Sequence, residues 1–317
     1  MRQSRRFGFP LGLLACLCAT VNAQPLQVLP AQGIVYMIAG PGGNTTVQAG
    51  DEAVVVVDTQ TAEASEELLA KIGELSSKPI RHIINTSAAA HHTGGNVLLS
   101  RAGTYVRLMT TFDPRGLSAD AAIAAHINVL MSMSSSPEGS AAIPAAAWPS
   151  DTYFTGGWEF YVNNEAVRLL HVPEAYSDGD SIVFFRRSDV VSTGDIYNTD
   201  RYPKFDIERG GIGGIIEGLN MIVDLTIPGE NQHGGTVVIP GHGRLSDETE
   251  VVNYRDMVTI VRDRIRAMID DGLSLKEVQA ARPTRDYDGI YATGVDGAWT
   301  PEEFVAGVYA DLSGAER

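Results

Sequence analysis

From Gly33 onward, short apolar runs alternate with turn residues at the spacing of strands. Ile34-Val35-Tyr36-Met37-Ile38 and Thr45-Thr46-Val47-Gln48-Ala49 flank the turn Gly40-Pro41-Gly42-Gly43-Asn44, and Gly50-Asp51-Glu52 makes a second turn. Ala53-Val54-Val55-Val56-Val57-Asp58 is continuously apolar up to its aspartate, the pattern of a strand covered on both faces. Leu68, Leu69, Ile72 and Leu75 then recur on one helical face, with acidic residues early, where the helix dipole favours them. Pro79 precedes a strand predicted over residues 80–85.

Residues 118–131 read as a helix and residues 132–147, rich in small side chains, as a loop. Strands return at residues 166–170, 181–185 and 190–192, followed by a helix over 214–225 and a strand over 236–239. Beyond Leu245 the signal is helical. Asp247 with Glu250 caps one helix, whose stripe of Val258, Val261, Ile265 and Met268 ends at Gly272. Ser274 with Glu277 forms a capping box, and Thr300-Pro301-Glu302-Glu303 opens a last helix. Sheet-forming halves with interspersed helices, then a helical tail, predict a mixed α/β layered fold.

The first 23 residues carry Arg2, Arg5 and Arg6 ahead of an apolar run that ends in Val21-Asn22-Ala23. The run is short and broken by Pro10 and Gly12, so it reads as a cleaved signal peptide and predicts export to a periplasm or beyond. Ser4-Arg5-Arg6-Phe7 loosely matches a twin-arginine signal, and Leu13-Leu14-Ala15-Cys16 a lipoprotein box. Both cysteines, Cys16 and Cys18, lie in that segment. The remaining chain therefore builds metal sites from His, Asp or Glu only. Cleavage would take the formal charge from −15 to −18 (−15 minus 3 arginines), which argues against nucleic-acid binding. No other apolar run is long enough to span a bilayer. Oligomeric state is open.

Several polar residues directly follow apolar strands: His91 and His92, Tyr176, Asp195, and His242. Sites in layered α/β folds collect at the carboxyl ends of strands, so these residues are candidates to converge. Three imidazoles and a carboxylate suit one zinc ion, with iron or manganese as alternatives. Structural roles stand beside this reading. Asp195 can hold backbone N–H groups at a strand end, and Tyr176 can either be a buried hydrogen-bonded tyrosine or donate to an oxyanion. His82 on a strand face, His126 on a helix and His233 in a loop read as structural. His171 reads as core packing or a stand-in ligand, and Asp178 and Asp180 as loop stabilisers.

The stretch His82-Ile83-Ile84-Asn85-Thr86-Ser87-Ala88-Ala89-Ala90-His91-His92-Thr93-Gly94-Gly95-Asn96 resembles the metal-binding loop of the metallo-β-lactamase superfamily. That loop reads H-x-H-x-D-H, which places Ser87, Ala89, His91 and His92 at the ligand positions. Tyr176-Ser177-Asp178-Gly179-Asp180, Ser192-Thr193-Gly194-Asp195 and Ile239-Pro240-Gly241-His242-Gly243 match three further segments in order, covering about residues 33–245. The resemblance implies a four-layer αββα sandwich over residues 24–245, with residues 246–317 as a C-terminal helical extension packed on it. It implies a first metal position lost, because Ser87, Ala89 and Tyr176 are not ordinary zinc ligands. It implies at most one metal at the second position, held by His91, His92, Asp195 and His242. The function implied is hydrolase-like chemistry on a small molecule. The alternative is a non-catalytic binding protein that uses the old cleft.

Overall fold

The structure, a computed structural model, describes residues 25–106, 118–135 and 142–314. The proposed signal peptide lies outside the described residues. The elements in chain order are β1 (Gln27–Gln32), β2 (Val35–Gly40), β3 (Gly43–Ala49), β4 (Val54–Val57), α1 (Ser65–Leu75), β5 (Ile80–Ile84), α2 (Ala90–Thr93) and α3 (Asn96–Ala102). A two-residue ribbon, β6 (Tyr105–Val106) with β7 (Ser118–Ala119), precedes β8 (Ala122–His126), α4 (Ile127–Ser134) and β9 (Asp151–Tyr153). The second half holds β10 (Gly157–Val162), β11 (Glu165–Val172), β12 (Asp180–Phe185), β13 (Val190–Ser192), α5 (Ile212–Leu225) and β14 (Val237–Ile239). Helices α6 (Glu248–Asp270), α7 (Leu275–Ala281), α8 (Asp288–Tyr291) and α9 (Pro301–Ser313) follow.

Among the described residues, two main sheets form, ordered β1-β2-β3-β4-β5-β8-β9 and β10-β11-β12-β13-β14. Pairing is antiparallel up to β4 and parallel from β4 to β9; in the second sheet it is antiparallel up to β13, and β14 joins parallel. The apolar run of β4 shows why the sheets stack. Side chains alternate across a strand, so Val55 and Val57 face Val183, Phe185 and Ile239 of the second sheet. Val54 and Val56 face the other way, onto Leu68 and Ile72 of α1 and Leu99 of α3. On the far side of the second sheet, Ile182, Val191 and Val238 pack with Ile215 and Leu219 of α5, Tyr254 and Val258 of α6, and Phe304 of α9. The layers are helix, sheet, sheet, helix.

Caps act where the local chemistry places them. Asp247 accepts the Glu250 N–H at 3.0 Å, and capping boxes open α7 and α9. At the β10–β11 hairpin, Asn163 and Asn164 take φ of 53° and 57°, the left-handed pair that a two-residue turn of matching twist requires. Among the described residues, no helix is long and apolar enough to cross a membrane.

The helix predicted over 118–131 is not there as such. Residues 122–126 form β8, which pairs parallel with β5 (Ile83↔Ile123, Ile84↔Ala124), and helix begins only at Ile127. Ile123 packs on the α1 side and Ala124 between the sheets. Burial on both faces therefore overrides the helical propensity of an Ala-rich run. His126, expected on a helix, ends β8 and caps α4, its Nδ1 accepting the Asn128 N–H at 3.4 Å. The expected loop over 132–147 contains the last turn of α4 and a short 3-10 turn at Ala145–Ala147, while residues 136–141 lie outside the described residues. Strand β1 escaped detection because Pro30 interrupts it, beside a register shift on a sheet edge.

Candidate metal centre

The parallel strands β4, β5, β13 and β14 all end on one rim, and the candidate side chains stand on the loops that leave them. After β5, α2 is a single turn that carries His91 half-buried and His92 buried. The His92 carbonyl accepts the Thr59 N–H at 2.8 Å and an Asn85 amide N–H at 3.1 Å. Its ring is held from below, with Nδ1 2.7 Å from Asp58 Oδ2. Asp58 also accepts the Thr86 N–H at 2.8 Å and the Thr86 hydroxyl at 2.6 Å. A carboxylate behind one imidazole nitrogen fixes the ring and turns the other nitrogen forward.

Asp195 lies just past β13, and three imidazoles surround it. Oδ2 is 2.7 Å from His91 Nε2 and 3.3 Å from His92 Nε2, while Oδ1 is 3.4 Å from His242 Nε2. Two glycines permit this. Gly194 has φ of 52°, and a Cβ there would meet Thr86 Oγ1 at 2.5 Å; a Cβ on Gly241 would meet Asp195 Oδ1 at 2.5 Å. The turn that bears His242 is clamped from β3. Asn44 donates its N–H to the Gly241 carbonyl at 2.8 Å and its amide to the carbonyls of Pro240 at 2.9 Å and Gly243 at 3.0 Å.

The electrostatics follow from burial and these contacts. Burial alone would push His92 down, but the carboxylates of Asp58 and Asp195 overcome it and hold the imidazole well above 6.5. Burial would likewise push Asp195 up, yet His92, His242 and the His91 hydrogen bond hold it well below the usual carboxylate range. His242 is pushed down to about 4, chiefly by burial, against the opposing pull of Asp195.

One donor atom each from His91, Asp195 and His242 lies within 4.8 Å of the others; His92 is outside that trio but touches the same carboxylate. His92 Nε2 and Asp195 Oδ1 are buried without a hydrogen-bond partner. Buried polar atoms left unpaired cost about 1–3 kcal/mol each, and a cation contacting both would remove that cost. The donor set is the nitrogen and oxygen mixture that zinc, iron or manganese accepts. These residues fit a single metal.

Tyr176 borders the same cleft, a cavity of about 260 Å³ also lined by His91, Asp195, Arg201, Lys204 and His242. Its ring meets His91 edge-on, with centroids 6.4 Å apart. Burial, reinforced by Asp195, pushes its phenol well above 10, so it remains an O–H donor at neutral pH. His171 is elsewhere, stacked on His126 with ring centroids 3.6 Å apart and Nε2 2.9 Å from the Asp178 carbonyl. His82 lies on β5 against Phe160, and His233 is exposed in a loop. Asp180 accepts the Ser177 N–H at 2.6 Å and so braces its own loop.

No family model matches the chain, and no curated protein matches it. Solved structures do. A double mutant of the sec-alkyl sulfatase PisA1 superposes with a TM-score of 0.65 at 16% identity, over 92% of this chain and 51% of that one. A metallo-β-lactamase from Pontibacter korlensis superposes at 0.54 and 13% identity, over 74% of this chain and 99% of that one. The metallo-β-lactamase DIM-1 gives 0.54 and 14%, over 75% and 98%. The chain has the metallo-β-lactamase fold. It spans about half the length of the sulfatase chain it matches, and at these identities the likeness bears on the fold alone.

The three positions that the sequence resemblance matched to a first metal's ligands are Ser87, Ala89 and Tyr176. The Ser87 hydroxyl accepts the Ala89 N–H at 3.3 Å, Ala89 has no side-chain donor, and Tyr176 carries a phenol. Two residues that shape the site escaped sequence reading. Asp58 appeared only as the end of an apolar run, and Asn44 only as part of a turn. A polar residue closing a buried strand was the available signal for Asp58; for Asn44, whose partners lie some two hundred positions away, there was none.

Proposed function

We propose that this chain is an exported metallo-β-lactamase-fold hydrolase that works with one metal ion, the first metal position of the fold being lost. The observation that carries this reading is the pair of buried, unpartnered atoms, His92 Nε2 and Asp195 Oδ1, facing the His91 and His242 imidazoles. A divalent cation there would supply Lewis-acid polarisation and a more acidic water. His91, His92, Asp195 and His242 would hold it. Asp58 orients His92, and Gly241 leaves room for the Asp195 carboxylate. Tyr176, protonated at the cleft wall, would donate a hydrogen bond to oxygen charge developing on the substrate. The neighbours' names, an alkylsulfatase and β-lactamases, support bond hydrolysis as the reaction class. Export is supported by the basic, then apolar, then small-residue pattern of the first 23 residues.

Elemental analysis of the purified chain tests the reading. About one equivalent of zinc, iron or manganese, lost in Asp195→Asn, is expected. A folded protein that takes up no metal and ignores chelators would overturn it in favour of a binding protein. N-terminal sequencing of the exported product, expected to begin after Ala23, tests the export step.

A further inference from the structure

His126 and His171 belong to opposite sheets, near the ends of β8 and β11, and stack face to face with ring centroids 3.6 Å apart and planes 10° apart. Each ring has one nitrogen committed. His126 Nδ1 accepts the Asn128 N–H at 3.4 Å and so caps α4, while His171 Nε2 donates to the Asp178 carbonyl at 2.9 Å. The Asn128 amide donates to that same carbonyl at 2.9 Å. One carbonyl thus ties the first turn of α4 to the loop that carries Tyr176 and Ser177. The approach is close, since a Cβ on Gly179 would meet the Val129 nitrogen at 3.0 Å.

Helix α4 is otherwise lightly held. Val129 and Met133 pack in a small cluster of their own with Ala125, Ala147 and Trp148. Ser132 accepts an exposed hydrogen bond from Arg209 at 2.8 Å, and it also borders a cavity of about 270 Å³ shared with Ala88, Ala89, Tyr176 and Ser177. The helix is therefore one wall of the cavity beside Tyr176, in a segment of the kind that opens before the rest of a fold does.

A proton on His126 acts on this wall in two ways. It goes onto Nδ1, because a neutral ring that accepts there already carries its hydrogen on Nε2. The cap on the Asn128 N–H is then lost, and charge is placed within the stack. Burial, and then the His171 imidazole, push His126 down from 6.5 to about 4. Tyr153 of β9 meets His126 edge-on, centroids 5.2 Å apart, and burial pushes its phenol up to about 12. Asp180 of β12 acts on Tyr153 from behind, and burial raises it well above the usual carboxylate range. Asp151 lies one pair along β9, in register with Ala124, and Asp178 turns its carbonyl to His171. The stacked state's contribution is complete above pH 6.5 and is lost as pH falls toward 4. A released ring that titrates near 6.5 gains about 100-fold on the stacked one between pH 7 and pH 4.

We propose that the His126–His171 stack is an acid-sensitive latch: protonation of His126 unstacks the pair and releases α4 from the 177–180 loop, opening the cavity beside Tyr176 while both sheets stay folded. The latch does not rest on the hydrolase reading. It needs only the stack, the cap and the shared carbonyl.

Hydrogen exchange of the full chain, followed by mass spectrometry and corrected for the intrinsic effect of pH, tests the latch. Between pH 7 and pH 4, peptides covering Ile127–Ser134 should lose protection by about 100-fold, while those covering Val54–Val57 and Val190–Ser192 keep theirs. In a protein that keeps Trp148 alone (Trp158→Phe with Trp299→Phe), emission should move to longer wavelength over the same range, because Trp148 packs with Val129 and Met133. His126→Asn keeps an acceptor able to cap α4 and removes the proton site, so both changes should shrink to less than about threefold. A melting curve at pH 7 verifies that this variant is folded. Wild type supplies a check that needs no variant: the His126 ring, followed by NMR, should titrate with the midpoint of the exchange change, between pH 4 and 6.5. Protection retained at pH 4, an equal loss in His126→Asn, separate midpoints, or loss in the sheets at the same pH overturns the proposal.

Discussion

Asp58 Oδ2 lies 2.7 Å from His92 Nδ1, and this contact decides which nitrogen of the ring faces the centre. With Nδ1 engaged, Nε2 is turned toward Asp195, 3.3 Å away. The two residues are 34 positions apart and belong to loops leaving adjacent parallel strands. Asp58 itself has φ of 61°, an uncommon conformation for a residue with a Cβ, which its three hydrogen-bond partners hold in place.

Removing that carboxylate should loosen the ring without deleting a ligand. Asp58→Asn is expected to weaken metal affinity about 10- to 100-fold, the usual effect of losing the group behind a metal-bound imidazole. Competition with a chromophoric zinc chelator measures it, and circular dichroism establishes that the variant is folded. Unchanged affinity would show that His92 needs no such support, or is not a ligand.

Gly241→Ala should disturb the centre by volume alone, because the new Cβ would crowd Asp195 Oδ1 and the Gly194 carbonyl, 2.5 and 2.6 Å away. A destabilisation of about 1–3 kcal/mol, together with weaker metal binding, is expected. Gly213→Ala is the control. That glycine is in α5 with nothing within 4 Å of an added Cβ, so the change should stabilise by about 0.5–1 kcal/mol and leave metal uptake intact. Urea unfolding of both variants gives the two signs.

Metal-free protein should be most stable near pH 6.5. His82, His126 and His242 are each held at about 4 in the folded state, burial being the largest cause. Unfolded histidines near 6.5 take up more protons between pH 4 and 6.5, so this contribution is complete above 6.5 and lost as pH falls. His92 is raised well above 6.5, so its contribution is complete below 6.5 and fades as pH rises through its folded value. His92→Gln should abolish the alkaline decline while leaving the acid one. Added zinc should stabilise more at high pH, because metal and protons compete for the same nitrogens. Melting temperatures from pH 4 to 9, with and without zinc, read all three effects.

Installing donors at the positions proposed for a first metal provides a gain-of-function test. Ser87→His, Ala89→His, His91→Asp and Tyr176→His together should bring metal content to about two equivalents. Elemental analysis that still finds one equivalent or none would mean that a first metal position cannot be assembled from these backbone sites.

Asn163 tests the frame at a distance from the site. Its amide donates to Gln48 Oε1 at 2.7 Å and to the Ala53 carbonyl at 3.0 Å, and its Oδ1 accepts the N–H groups of Glu52 and Ala53 at 3.0 and 3.1 Å. Asn163→Ala leaves four buried or part-buried groups short of a partner and should cost about 2–4 kcal/mol. Metal affinity should be unaffected, since these contacts do not reach the centre. Equilibrium denaturation and zinc titration of the same sample separate the two.

Much of this architecture was legible in one dimension. Val54 to Val57 could satisfy four apolar side chains in a row only by burial on both faces, and Pro301 behind Thr300 could only open a helix. The positions after the strands, His91, His92, Asp195 and His242, were visible for the same reason: an apolar run stops where the chain turns away, and polar side chains there stand at a rim. Ala122 to Ala125 were misread because alanine is at home in helices, and only the presence of β5 alongside makes that stretch a strand.

What local pattern alone determined was therefore the set of buried runs, caps and turns, because each depends on residues within a few positions of one another. Pairings across the sandwich were decided only by the folded chain: Asp58 behind His92, Asn44 clamping the turn of His242, Gly241 beneath Asp195, and His126 stacked on His171. Their partners are tens to hundreds of residues apart, and no periodicity links them. Two parallel strand pairs facing each other across one apolar core bring those loop ends together on a single rim.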